Sequence, residues 1–180
     1  MKTVALFGGS FNPPHIAHQM VCLYVLAVEP VDAVWMVPAF AHPFGKELAP
    51  FSDRLAMCAL AAAPLGAGVE VCDVEGRLDR PTGRTLDTLR ELGRRHPDIC
   101  FRLVVGADIL GEVDGWYRWD EIVRIARPIV VGRAGYGEAE VVLPAVSSTA
   151  VRARVAAGDS AVPLVSRAVM SYITSRGLYR

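Results

Sequence analysis

A surplus of charge of either sign is missing from this sequence: 19 Lys and Arg stand against 19 Asp and Glu, and the pI is near 6.9. Polynucleotide binders neutralise a run of phosphates with a basic excess, so DNA and RNA are disfavoured as partners. Long apolar runs are missing too. The longest near the start, Met20 to Val28, falls far short of the ~20 residues that span a bilayer. Met1 to Phe7 runs straight into glycines with no signal-peptide cleavage pattern. The expectation is a cytoplasmic protein without a membrane contact. Cysteine is sparse: Cys22, Cys58, Cys72 and Cys100 stand singly, without CxxC spacing, in apolar segments. That pattern argues against a disulfide framework or a zinc site and for reduced core thiols. Repeats, low-complexity tracts and interdomain linkers are also lacking.

What is present is a chain of 180 residues, 52% hydrophobic and 21% charged, enough to bury a core without staples and expected to form one domain over residues 1–180. Short β-prone runs alternate with segments of helical periodicity. Strands are expected at Thr3–Phe7, Ala33–Val37, Val69–Val74, Phe101–Val105 and Ile129–Val131, with a short one at Glu140–Leu143. Helices are expected at His15–Ala27, from a Ser52 cap to Ala63, at Thr85–Arg95, Ala107–Glu112 and Trp116–Ile125, and finally at Thr149–Ala157 and Ser166–Ser175. Such alternation implies right-handed βαβ units and a parallel sheet with helices on both faces. Ligands of these sheets sit beyond the carboxyl ends of the strands, so the residues to read are those just after each strand.

The first strand is followed by Gly8-Gly9-Ser10-Phe11-Asn12-Pro13-Pro14-His15-Ile16-Ala17-His18. Glycines let main-chain N–H groups approach a ligand, and the helix that opens next turns its positive end toward it, an arrangement suited to phosphate. GxGxxG is absent, and Gly45-Lys46 is followed by Glu47 where a P-loop needs Ser or Thr. His15 and His18 share the first helical turn and can reach one phosphate. Their spacing lacks the glutamate and third ligand of a zinc helix, although metal binding and a structural role are the competing accounts.

These residues resemble the signature of the HxGH nucleotidyltransferases, with Asn12 where the family has an acidic residue and Ala17 where it has glycine. Val146-Ser147-Ser148-Thr149-Ala150-Val151-Arg152 is similar to the family's ISSTxxR, in which a helix start and an arginine hold phosphates. Within the superfamily the resemblance is to the bacterial nicotinate mononucleotide adenylyltransferases, carried further by Thr85-Leu86-Asp87-Thr88-Leu89, by Gly106-Ala107-Asp108 with Trp116, by Val131-Gly132-Arg133 and by the closing Gly177-Leu178-Tyr179-Arg180.

The resemblance implies a Rossmann-like, doubly wound sheet of about five strands with a small C-terminal helical part. It implies that His15, His18 and Arg152 act on the triphosphate of ATP, assisted by Gly8, Gly9, Ser10, Phe11, Ser147, Ser148 and Thr149. Asp108 would bind the ribose and Arg133 would belong to the ATP site. Trp116 would stack on the pyridine ring, with Trp119 in the core. Thr85 at a helix start would meet the nicotinate carboxylate. Arg84, where the family often has an aromatic residue, would either assist or be solvated, and Lys46 would either meet the mononucleotide phosphate or be an ordinary loop lysine. Beside Lys46, His42 departs from the family's loop pattern. Mg²⁺ would arrive with ATP, held by phosphate and water rather than protein ligands.

The implied reaction transfers AMP from ATP to nicotinate mononucleotide, with small molecules as the only partners and a homo-oligomer left open. The alternatives are an adenylyltransferase acting on nicotinamide mononucleotide or phosphopantetheine, a non-catalytic ATP-binding regulatory module, and a metal-dependent hydrolase built on the two histidines.

Overall fold

A computed structural model describes residues 1–41, 45, 47–79, 83–111, 113–132 and 143–180, with only the main chain of 109, 110 and 114. Five parallel strands form one sheet in the order β3-β2-β1-β4-β5. They are β1 (Lys2–Gly9), β2 (Ala33–Pro38), β3 (Val69–Val71), β4 (Ile99–Gly106) and β5 (Ile129–Val131). β1 lies at the centre, pairing from Val4↔Ala33 to Gly9↔Pro38 on one side and from Lys2↔Ile99 to Phe7↔Val104 on the other. The order reverses between β1 and β4, and the crevice of a doubly wound sheet opens there.

Because successive strand side chains point to opposite faces, β1, β2 and β4 each feed two cores. Val4 and Leu6, Trp35 and Val37, and Phe101, Leu103 and Val105 enter one, which is covered by α3 (Thr85–Arg95) and α4 (Trp119–Ala126) through Leu86, Leu89, Leu92 and Ile122. Those three leucines recur at helical spacing and are essentially inaccessible, each worth roughly 1.5–3 kcal/mol of burial. Ala5, Val34, Met36 and Val104 enter the second core, covered by α1 (Ile16–Val28) and α2 (Phe51–Ala62) through Cys22, Val25, Cys58 and Ala62. Burial pushes the Cys22 thiol up to about 12 and raises that of Cys58 too, so both are inert hydrophobes at neutral pH. An adjacent face of α2 presents Met57 and Ala61 to a third cluster, formed with α5 (Ser148–Ala156) and α6 (Arg167–Arg176). This is the C-terminal helical part.

Several boundaries differ from the sequence-based expectation. α2 starts at Phe51 with Pro50 at its cap position, and Ser52 lies inside the helix. The restricted φ of proline suits that entry, and the Arg54 side chain holds the preceding Ala49 carbonyl at 2.9 Å. β3 ends at Val71 rather than Val74, because Val74–Arg77 forms a 3₁₀ turn that draws Glu75 inward to the Phe40 N–H and the Thr88 hydroxyl. A 3₁₀ turn over Ala107–Gly111 takes the place of the helix expected at Ala107–Glu112. The helix expected from Trp116 starts at Trp119, after Arg118 in the left-handed region. Of the short strand expected at Glu140–Leu143, only Leu143 is among the described residues; its N–H donates to the Gly132 carbonyl at 3.4 Å.

Candidate active site

At the β1/β4 reversal lies a cavity of about 340 Å³ whose described lining includes Gly8, His15, His18, Asp108, Trp116, Ser147 and Ser148. Residues remote in sequence meet there because β1, β4 and β5 all end at this rim.

Within the turn after β1, neighbouring side chains brace one another. A Cβ on Gly9 would stand 3.2 Å from the Phe11 ring, so glycine at 9 is what admits that ring. Phe11, at a left-handed φ of 45°, is 1% exposed. Its ring packs edge-on against Phe7 and His18, with centroids 5.4 and 4.9 Å apart. Phe11 is therefore a packing platform beneath the histidine. A Cβ on Gly8, by contrast, would meet none of the described residues beyond its chain neighbours within 4 Å, and Gly8 lines the cavity.

His18 occupies the third position of α1, where its Nδ1 accepts the main-chain N–H of the cap residue His15 at 3.0 Å. This half of a capping box fixes the tautomer: with Nδ1 accepting, the proton of the neutral ring sits on Nε2. The two imidazoles stack with centroids 3.7 Å apart, and His15 is 6% exposed. The pair thus presents a rigid, donor-bearing edge at a helix N-terminus, a combination that favours phosphate oxygens.

Across the cavity, Ser147 caps α5 by accepting the Ala150 N–H at 3.2 Å, while the Ser148 hydroxyl donates to the Pro13 carbonyl at 2.8 Å. The Ser148 hydroxyl thereby ties the α5 start to the β1 turn. Arg152 does the same, donating to the Asn12 carbonyl at 2.8 Å and to the Thr149 hydroxyl at 3.3 Å. Arg152 and Thr149 flank the cavity without lining it, as do Gly9 and Ser10. Asp108 lines the β4 exit beside Gly106, where a Cβ would overlap the Asp108 Oδ1. Trp116 meets Trp119 edge-on at 5.4 Å, and both pack on the first core. Thr85 is the first residue of α3, preceded by Arg84, whose guanidinium stacks over the Tyr117 ring at 4.3 Å. Neither Thr85 nor Arg84 lines the cavity. Lys46, His42 and Arg133 lie outside the described residues.

Reading the sequence alone missed the buried polar residues behind the site. Asn12 is 5% exposed, and its Oδ1 accepts from the Ala49 N–H at 3.1 Å and the Tyr179 hydroxyl at 2.8 Å. Amide and carboxylate both offer that oxygen, so the structure accommodates Asn12 where an acidic residue was expected. Arg54 and Glu75 are likewise buried. The available signal for Arg54 was its place just ahead of the apolar run Leu55–Ala62 of α2.

Among the described residues no three His, Cys, Asp or Glu converge on a point that could hold a metal. The described cavity lining offers one carboxylate, Asp108, beside two imidazoles and two serines. That donor set suits an anion better than a hard cation.

The parallel 3-2-1-4-5 sheet and the paired helix starts facing one crevice define a nucleotide-handling α/β protein, and residues 6–154 match the family model described as cytidylyltransferase-like. This makes it a nucleotidyltransferase. A relative from Anaeromyxobacter sp. (strain K), named "Probable nicotinate-nucleotide adenylyltransferase", is 51% identical over 99% of this chain and 97% of its own length. A relative of the same name from Myxococcus xanthus (strain DK1622) is 40% identical over 98% and 94%. The fold matches that of a Plasmodium falciparum nicotinic acid mononucleotide adenylyltransferase complexed with NaAD, with a TM-score of 0.82 at 20% identity, covering 99% of this chain and 98% of that one. The chain belongs to the nicotinate-nucleotide adenylyltransferase family.

Proposed function

We propose that this chain, as one nucleotidyltransferase domain, transfers AMP from ATP to nicotinate mononucleotide, giving nicotinate adenine dinucleotide and pyrophosphate in NAD biosynthesis. The observation that carries the reading is the cavity in which His15, His18, Asp108, Trp116 and the α5 start converge, in a chain whose relatives bear that enzyme's name over their full length.

The nucleophile is the phosphate of the mononucleotide, which attacks the α-phosphorus of ATP as the bond to the β-phosphate oxygen breaks. A phosphate monoester has a second pKa of about 6 and is already mostly a dianion at neutral pH, so no general base is needed. The barrier lies in bringing two anions into line and in the charge that builds on the α-phosphoryl and pyrophosphate oxygens. His18 donates from Nε2 to the α-phosphate. His15 and Arg152 hold the β- and γ-phosphates, with the Gly8–Phe11 amides and the Ser147–Thr149 helix start as further donors. Asp108 accepts from the ribose hydroxyls, and Trp116 stacks on the pyridine ring. The N–H groups at the α3 start, at Thr85, receive the nicotinate carboxylate, and Arg84 adds positive charge nearby. ATP enters as its Mg²⁺ complex, in which the cation neutralises triphosphate charge.

The reading includes a cytoplasmic location and small molecules as partners; no helix among the described residues is long and apolar enough to cross a membrane. The test is pyrophosphate release from ATP and Mg²⁺ with nicotinate mononucleotide, nicotinamide mononucleotide or phosphopantetheine at equal concentration. A strong preference for the first is expected. ATP binding without release for any acceptor would instead identify a regulatory module.

A further inference from the structure

The turn assigned to the triphosphate and the α3 start assigned to the nicotinate carboxylate belong to separate elements, and buried polar side chains join them. Arg54, 1% exposed, spends its guanidinium on four main-chain carbonyls from three segments. Its Nη1 donates to Ser10 at 2.9 Å, in the phosphate turn, and to Ala39 at 2.6 Å, just past β2. Its Nη2 donates to Phe40 at 3.2 Å and its Nε to Ala49 at 2.9 Å. The Phe40 N–H in turn donates to Glu75 Oε2 at 2.9 Å, and Glu75 Oε1 accepts the Thr88 hydroxyl at 2.9 Å. Thr88 lies in the first turn of α3, behind Thr85. A continuous path therefore runs from Ser10 through Arg54, Phe40 and Glu75 to the helix start assigned to the acceptor.

A charge this buried is costly unless its donors are used, and removing one side of a buried polar network leaves the groups on the other side unpaired. The carbonyls it serves would need other donors if it were gone. The phosphate turn has further anchors, since Ser148 and Arg152 hold Pro13 and Asn12 and the Ile16 N–H reaches the Leu164 carbonyl at 2.8 Å. The Phe40 carbonyl has Arg54.

We infer that Arg54, with Glu75, is a positioning residue that sets the phosphate turn and the α3 start in register, so that the two substrates meet in line. The inference rests on the reading of the reaction above. It predicts a particular signature: each substrate still finds its own half-site, while turnover falls because the attacking oxygen and the α-phosphorus are misaligned. A displacement of about 1 Å suffices for a loss on the order of a hundredfold.

The experiment measures kcat, both KM values and the number of ATP sites per chain by calorimetric titration, for the wild type and for Arg54→Met, Arg54→Lys and Glu75→Gln. Expected for Arg54→Met is a kcat per ATP-binding site roughly a hundredfold lower, with both KM values within about twofold. Arg54→Lys, which keeps the charge but loses the planar fork, should recover part of the loss, and Glu75→Gln should lower kcat several-fold by loosening the far end of the path. A purely structural role would reduce the number of ATP sites and leave kcat per site unchanged, and that result overturns the inference. Should Arg54→Met not bind ATP at all, Arg54→Lys and Glu75→Gln decide by the same ratio. An inactive wild type overturns the reaction itself, which keeps the two failures apart.

Discussion

Gly106 and Asp108 offer a test in which one methyl group reports on the ribose contact. Gly106 is the last residue of β4 and has strand conformation, so alanine fits its backbone. The added Cβ would overlap the Asp108 carboxylate and, among the described residues beyond its chain neighbours, come within 4 Å of no other. Gly106→Ala should therefore act through Asp108 alone, turning its carboxylate away from the ribose. Hydrogen bonds to an ionised group contribute about 1.5–3 kcal/mol, so the Kd for ATP should rise roughly ten- to 150-fold. Asp108→Ala should weaken ATP binding to a similar degree. In the Asp108→Ala background the Cβ has nothing to strike, and Gly106→Ala should then cost less than about 0.5 kcal/mol, the usual limit of additivity between independent sites. Calorimetric titration of the four proteins with ATP and Mg²⁺ closes the cycle. Additive losses, or a Gly106→Ala protein that binds ATP like the wild type, would refute the assignment of Asp108.

His18→Ala should lower kcat about a hundredfold, near 3 kcal/mol for one lost transition-state donor, with ATP still bound; unchanged turnover removes the role. Asp53, 3% exposed, accepts the Tyr172 hydroxyl at 2.8 Å and Arg176 Nε at 3.0 Å, joining α2 to α6. Asp53→Ala should cost about 1.5–3 kcal/mol in urea unfolding, mostly through Tyr172, since the Arg176 side chain is 57% exposed and its ion pair is screened. A cost under about 0.5 kcal/mol would show that link to be idle. Burial raises the Glu75 carboxyl above its ordinary 4.5, against the opposing pull of the Phe40 N–H and the Thr88 hydroxyl. The folded chain then holds this proton more tightly than the unfolded one, so the group's contribution to stability is complete below 4.5 and declines as pH rises through the folded value. Glu75→Gln, which does not titrate, should gain on the wild type in urea midpoint across that window, and a gap independent of pH contradicts the expectation.

The parts that sequence made legible are those governed by local periodicity. α3 and β5 fall where the pattern places them, because Leu86, Leu89 and Leu92 share one helix face and Ile129–Val131 is a short apolar run. Glycines at the ends of β1 and β4 likewise marked where those strands border the cavity. What stayed hidden depends on contacts between distant segments. Ser52 has the chemistry of a cap, yet the start of α2 is set by Pro50 and by the Arg54 bonds. Val74 continues a β-prone run, yet Glu75 pulls the chain into a turn to reach Phe40 and Thr88. Asn12 looked like a lost acidic group, and only the fold shows that its amide oxygen takes two donors, one of them from the last turn of the chain. No periodic signal marks a lone Arg or Glu as buried, because most such residues are solvated.

The bond from the Tyr179 hydroxyl to Asn12 spans 167 residues. A ribosome adding about 5–20 residues each second releases the phosphate turn roughly 8 to 33 s before the side chain that clamps it. Through that interval the nascent turn has β1 and α1 to shape it but neither the α5 start nor the closing tyrosine. Nucleotide met during synthesis should find an unfinished cradle, and firm binding is expected only once α5 and the Tyr179 segment have docked on the turn.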